Sequence, residues 1–335
     1  MDSTNDDINY VLAKDLFKQS MNLGHVQAET EYGKICMKEK KNKYGEIKRD
    51  FVESYKSFQS SSSKGDGEGM VWYGYFIEFG YGGIKVDFDE AVQLYKESYE
   101  KGDLNGYALY GHTLIDKKFH QLNEKEGIRL IKYSAERNNP FGLNIFSVIL
   151  YWSLAGFKKS YSRSFEYAKK AAELGHIAGI CNVSECYKLG ECVEKNIPAS
   201  TKYLYKAIEE GSVRAMYILG YNTYNGKYDF KENKAEGKRL LKIAADLGYG
   251  DAISDYCSAL LDDRKVDKTE LKHYLDLGVK LKCTRVMRLY GALLLDGIHF
   301  PLDEEKGVSY WKNAIDLGDR DSMEFYSLLL SQGQG

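Results

Sequence analysis

Proline is nearly absent from this chain. Only Pro140, Pro198 and Pro301 occur in 335 residues, so helices meet few internal breaks, and a repeat that places a proline near the end of every unit does not fit. Long hydrophobic runs are missing as well. The most apolar stretch, near Ile145 to Leu154, is interrupted by Ser147 and Ser153, and nothing approaches the roughly 18 apolar residues of a membrane-spanning helix. Direct membrane insertion is therefore not expected. The opening residues MDSTNDDIN are polar and acidic, without the basic and apolar regions of a secretory signal, and a cytoplasmic location is the expectation. A charge excess is lacking too: 47 basic against 49 acidic residues leave a net charge of −2, no electrostatic footprint for nucleic acid or an anionic membrane.

Cysteine is sparse and uneven. Cys36, Cys181, Cys186, Cys192, Cys257 and Cys283 do not supply the two per unit that repeat-by-repeat disulfides would need, which suits a reducing compartment. Cys181, Cys186 and Cys192 with His176 come nearest to a ligand set. A spacing of five along one helix turns the first two thiols to different faces, so packing is expected and no metal. The histidines are scattered, and no H-E-x-x-H, G-x-S-x-G or phosphate-loop pattern occurs. The glycine-rich stretches 65–69 and 80–83 lack the Lys-Ser/Thr ending of a phosphate loop and read as turns. No catalytic residue and no cofactor is expected, and the chain reads as a non-enzyme.

What is present is recurrence. The stretch YAKKAAELGHIAGICNVSECY, Tyr167 to Tyr187, reads as a helix, a glycine stop and the start of a second helix. Equivalents of Gly175 are Gly24, Gly65, Gly102, Asn138, Gly211, Gly248, Lys282 and Gly318, about 36 residues apart. A glycine past a helix end supplies the left-handed residue that closes the last turn; Asn138 is the usual second choice and Lys282 the one poor substitute.

The flanking register is stricter than the stops. Four residues before them stand Ser20, Ser61, Ser98, Ser134, Ala171, Ala207, Ala244, Gly278 and Ala314, all small. Eight and nine residues after them a large residue precedes a small one, as in Tyr32-Gly33, Phe146-Ser147, Leu219-Gly220 and Tyr326-Ser327. Small residues at fixed helical positions let helices approach, and the bulky neighbour fills the space beside them. A period in this range means that each unit buries its apolar face against its neighbours, an α-solenoid of antiparallel helix pairs.

The pattern resembles the Sel1-like repeat, a longer relative of the tetratricopeptide repeat. Gly80-Tyr81-Gly82-Gly83-Ile84-Lys85-Val86-Asp87 followed by Glu90-Ala91 is similar to the family's inter-helix loop, and Ala171-Ala172-Glu173-Leu174-Gly175-His176 to its second-helix ending. The resemblance implies an all-α, right-handed α-solenoid of about eight repeats plus a single flanking helix at each end. Residues 1–9 are read as a disordered polar N-terminus, 10–331 as one solenoid without an internal boundary, and 332–335 as a flexible tail.

Several segments have local readings. A lone second-type helix is expected from Tyr10 to Asn22, capped by Asp6 or Asp7. The lysine-rich insertion Lys38 to Asp50 is diluted by Glu39 and Glu46 and reads as a solvated loop. Ser61 and Ser62 fall in the register of Ala171 and Ala172, which favours buried small residues over a modifiable run. The sequon Asn182-Val183-Ser184 places Val183 in the buried register, against glycosylation. The last helix, Asp321 to Ser331, has Phe325, Leu328, Leu329 and Leu330 on more than one side, which suggests self-association through this C-terminal helix.

A solenoid offers a long concave surface lined by the first helix of each pair. Positions 3, 6, 10, 13 and 14 after each stop are read as outward, and they hold Tyr75, Glu78, His112, Asp116, Asn144, Tyr151 and Trp152 in the first half. In the second half they hold Glu185, Lys188, Arg214, Tyr217, Tyr221, Tyr224, Asn225, Arg285 and Arg288. Tyrosine and arginine bring large contact area with a polar tip, and Asn144 or Asn225 would suit capture of a peptide backbone. The expectation is a scaffold or adaptor binding a protein or peptide partner in the groove. The alternative is a carbohydrate- or cell-wall-associated binding protein, as the resemblance also implies.

Overall fold

The stops have the backbone geometry that makes them stops. In the computed structural model, which describes residues 3–37, 40–41, 47–48, 50–81, 84–116, 119 and 122–331, φ is positive at all nine stop positions, including Asn138 and Lys282. At eight of them the next residue's N–H returns to the carbonyl of the small residue four before the stop, as His176 does to Ala171 at 2.9 Å and Asp66 to Ser61 at 3.1 Å. This bond closes one helix. The residue after the stop can then cap the next helix: side chains of Asp66, Asp103, Asn139, Ser212 and Asp319 accept first-turn N–H groups. Termination and initiation share a two-residue turn.

In chain order the helices are α1 (Ser3–Asn22), α2 (Val26–Met37), α3 (Phe51–Ser63), α4 (Gly67–Phe79), α5 (Phe88–Glu100), α6 (Leu104–Thr113), α7 (Glu124–Glu136), α8 (Pro140–Trp152) and α9 (Tyr161–Glu173). They continue as α10 (Ile177–Leu189), α11 (Ile197–Glu209), α12 (Val213–Asn225), α13 (Lys234–Asp246), α14 (Gly250–Leu261), α15 (Lys268–Lys280), α16 (Thr284–Asp296), α17 (Glu304–Asp316) and α18 (Arg320–Ser331). Two short strands, β1 (Lys40–Lys41) and β2 (Ile47–Lys48), pair antiparallel between α2 and α3. Odd-numbered helices end at stops and even-numbered ones follow them. The fold is the all-α class of paired helices that the period implies.

Fifteen residues before the stops a further register opens the odd helices: Asp50, Asp87, Asn123, Ser160, Asn196, Asn233, Asp267 and Asp303. All but Ser160 accept a backbone N–H from the first turn. Asn9 stands at the same offset before Gly24, yet α1 runs past it to Ser3, into the stretch read from sequence as disordered. No proline or glycine lies between Ser3 and Asn22 to stop it. Of the insertion 38–50, β1, β2 and Asp50 alone are described; the solvated-loop reading of the rest, and the tail 332–335, lie outside the described residues.

By internal packing the chain forms two compact units, Met1–Gly211 and Ser212–Gly335, where the sequence reading has one array. In the first unit the even-numbered helices pack side by side, α2 on α4, α6, α8 and α10 in turn; in the second, α12 packs on α14 and α14 on α16. Each odd helix fills the layer behind.

The small residue nine after each stop marks where the helices of a pair cross. A Cβ on Gly111 would lie 2.8 Å from the Gly127 carbonyl oxygen, and one on Gly127 2.6 Å from that of Gly111, so α6 and α7 touch backbone to backbone. In α8 and α9 the crossing pair is Ser147 and Ser164, each hydroxyl donating to the other's carbonyl at 2.9 Å. Ser184 donates likewise to the Ser200 carbonyl at 3.0 Å. Gly220 meets Gly237, and Gly291 meets Gly307. The seventh pair departs, with buried Cys257 and Leu271 in this register, and α14 packs more sparsely on α15.

A second close approach joins each odd helix to the next even one. A Cβ on Gly106 would stand 2.5 Å from Ser98 Oγ, and one on Gly142 2.6 Å from Ser134 Oγ. Ser61 and Ser62 are buried as the register implies. Where Val286 replaces the usual small residue of the even helix, Gly278 takes the small role opposite.

Lys282 holds φ of 56°, a conformation costly for a side chain with a Cβ. Lys282→Gly should raise stability by about 0.5–1 kcal/mol, and Gly175→Ala should lower it by about 1 kcal/mol. Both are read from urea midpoints at unchanged m-value.

Candidate partner-binding face

Neighbouring even helices are joined by rungs. In the second unit Tyr217 donates to Asp255 at 3.0 Å and Tyr224 to Asp262 at 2.9 Å, linking α12 to α14. Arg285 of α16 reaches Asp251 and Asp255 at 3.0 and 2.7 Å, and Arg288 reaches Asp319 and Asp321 at 2.7 and 2.9 Å. In the first unit Asn139 donates to Asn105 at 2.7 Å and Asn182 to Asn144 at 2.9 Å, while Tyr151 bonds the Glu191 carboxylate. Burial, then the Asp255 carboxylate, pushes the Tyr217 hydroxyl upward; burial and the Asp262 bond push that of Tyr224 to about 12. Both stay protonated donors.

The sequence candidates thus divide by what they touch. Trp152 and Arg214 are exposed, the former at 63%. Tyr75 is half-buried among Trp72, Phe79 and Tyr81, with ring centroids 5.9, 4.6 and 6.0 Å away. His112 Nε2 lies 4.0 Å from Asp116, and Glu185 pairs with Lys188 at 2.8 Å. Lys227 donates to the Tyr221 hydroxyl, and exposed Asn225 donates to the Tyr221 carbonyl at 2.9 Å. Three candidates are corrected: Glu78, Lys188 and Tyr224 are buried rather than outward. All stand thirteen after a stop, one turn beyond the small crossing residue, so they lean toward the paired helix. Glu78 there accepts the Tyr95 hydroxyl at 2.8 Å.

The first unit assembles a surface that the sequence candidates only touch. Trp72 of α4 meets Phe141 of α8 edge to face at 5.8 Å, and Phe141 meets His176 at 4.6 Å. A contact from α4 to α8 passes across α6, so the even helices of this unit curve inward there. The helices α6, α8 and α10 also carry the half-buried amides of Asn105, Asn144 and Asn182. Asn144 alone was singled out from sequence. Asn105 and Phe141 occupy the third position after a stop, which was read as outward; Trp72 and Asn182 occupy the seventh, one turn on, which was not.

Cys181 is buried, Cys186 and Cys192 share a thiol hydrogen bond, and among the described residues no three His, Cys, Asp or Glu side chains converge on a metal position. Two open depressions are shallow, one at the turns Gly65–Glu68 and Lys101–Asp103 and one between the α15 residues Lys268, Lys272 and His273 and Phe300. Val183 and Ser184 of the sequon are buried, and no helix among the described residues is long and apolar enough to cross a membrane.

His176 caps α10 with its ring nitrogen, Nδ1 accepting from Gly179 N–H at 3.2 Å, and burial lowers its pKa from 6.5 to about 4. The unfolded ring takes up a proton that the folded one refuses. Stability is therefore whole above pH 6.5 and falls as pH drops from 6.5 toward 4, by about 1–2 kcal/mol for a half-exposed ring. Urea unfolding at pH 7.5 and 5 should show this loss, and His176→Asn, which keeps a capping oxygen, should remove that share of it.

The Sel1 repeat family model matches residues 67–103, 148–176, 177–212, 213–249 and 285–319, about half of the chain. Among solved structures, a Sel1 repeat protein from Oxalobacter formigenes is 17% identical, with a TM-score of 0.56 over 94% of this chain and 89% of that one. A protective antigen of uropathogenic Escherichia coli displaying an SLR fold is also 17% identical, with a TM-score of 0.51 over 96% of this chain and 68% of that one. At such identity the likeness is one of fold. No curated protein shows significant similarity to the chain. The recurring stop, the small-residue crossing and the family match agree, and the chain belongs to the Sel1 repeat family.

Proposed function

We propose that the protein is a non-catalytic scaffold that holds an extended segment of a protein partner against α4, α6, α8 and α10. Sel1 repeat proteins are in general protein-interaction scaffolds. The observation that carries the reading is the face of amides and rings in the first unit. Asn182 spends one N–H on Asn144 Oδ1, and an amide has two donors and an acceptor oxygen. The Asn144 donors and the Asn182 oxygen thus remain to meet a carbonyl and an N–H of an extended backbone, while Trp72 and Phe141 offer apolar area to its side chains. Uncharged amides recognise main chain more than any one charged residue. Arg214, Tyr217 and Tyr221 of α12 supply a further contact patch, and the six cysteines, all free thiols, suit a reducing cytoplasm.

The test is a displayed library of unstructured peptides, with affinities of selected peptides measured by fluorescence anisotropy. Asn144→Ala and Phe141→Ala should each weaken binding about tenfold, whereas Arg288→Ala should leave it within about twofold. N-methylation of single peptide bonds in the ligand should abolish binding at the positions facing Asn144 and Asn182. Peptides indifferent to both variants would place the site elsewhere. Selective capture of glycans with no peptide ligand would favour the carbohydrate reading.

A further inference from the structure

The register described above leaves two half-pairs. α18 is an even helix and α1 an odd one, and among the described residues no odd helix covers the first and no even helix covers the second. Both nevertheless keep the residues of a crossing. Nine after Gly318 stands Ser327, and eleven before Gly24 stands Ala13, the offsets at which Gly74 meets Ala91 in α4 and α5. Eight after and eight before are Tyr326 and Leu16, the combination that Tyr73 and Leu94 form inside that same pair.

Exposure shows that these residues are core residues without a core. Twelve after most stops the even helices bury their residue, as with Ile77 at 2%, Leu150 at 1%, Leu260 at 2% and Leu294 at 6%, yet Leu330 in this place is 50% exposed. Leu16 is 53% exposed where its equivalents Leu94 and Leu130 are at 9% and 0%. A surface apolar helix needs no explanation by itself, but these two carry the matching halves of one interface in one register.

We propose that the protein associates head to tail, α18 of one copy taking α1 of the next as its second helix. Ser327 and Ala13 would cross, Tyr326 would lie on Leu16, and Leu330 would enter the layer beside Phe17. Because two different surfaces meet, the contact is heterologous and adds copies one after another, as a chain or as a closed ring. This surface is separate from the amide and ring face, and the two readings stand or fall independently.

Sedimentation velocity over about 1 to 100 μM, the range suited to a modest interface, should show a sedimentation coefficient rising with concentration. Leu16→Glu and Leu330→Glu change exposed residues and should each give monomers with unchanged circular dichroism; Ser327→Arg should do the same by blocking the crossing alone. An equimolar mixture of Leu16→Glu and Leu330→Glu retains one intact head and one intact tail, so it should form dimers and nothing longer. A wild type that stays monomeric throughout would overturn the proposal. So would a Leu16→Glu protein that still associates, which would mean α18 pairing with itself, or a mixture that forms no dimer.

Discussion

In most of the helix pairs two backbones come within van der Waals contact at a single point. That constraint orders the rest. It demands a small residue nine after each stop and another eleven before the next, met by Gly111 with Gly127, by Ser147 with Ser164 and by Gly291 with Gly307. It also sets which residues flank the crossing. Phe146 packs on Tyr167 and Tyr290 on Tyr310, both with ring centroids 5.0 Å apart, because large rings fill the wedge that opens as two helices diverge from a close contact. Serine at the crossing adds a reciprocal hydrogen bond to the contact without enlarging it beyond what the helices tolerate. The seventh pair carries Leu271 and is correspondingly sparse, while Gly278 facing Val286 restores the fit to the next even helix.

Once odd helices are fixed behind, the even helices of each unit stand side by side, and polar residues on their forward face meet their neighbours. Exposed ion pairs such as Lys272 with Asp276 contribute about 0–1 kcal/mol. The rungs matter more for spacing, since Arg285 between Asp251 and Asp255 or Asn182 on Asn144 fixes how far apart adjacent helices lie. The same residue can therefore be a rung and, on the function proposed above, a contact point: Asn182 uses one amide hydrogen for the fold.

Much of the fold is legible in the sequence because a stop and a crossing each demand one residue type at one offset. Gly175 and Asn138 announce the left-handed turn, and Ser134 or Ala171 announces the seam. The capping row led by Asp50, Asp87 and Asn123 is equally regular but less legible, since aspartate and asparagine are ordinary in loops and gain meaning only from their fixed distance to the stop. The face was less legible. Glu78, Lys188 and Tyr224 look like surface residues by type, and the helical turn that carries them toward the crossing buries them. Trp72 and Phe141 are four helix positions apart in register but two units apart in sequence, and only curvature brings them together. No one-unit pattern encodes a contact between next-but-one repeats.

The crossing constraint is open to one direct measurement. Gly127→Leu places at the α6 and α7 crossing the residue that the seventh pair carries as Leu271. With the Gly111 carbonyl oxygen 2.6 Å from where the new Cβ must go, urea unfolding should show a loss of about 2–3 kcal/mol, with amide hydrogen exchange accelerating first in α6 and α7. Stability and exchange equal to those of the unaltered protein would contradict the account.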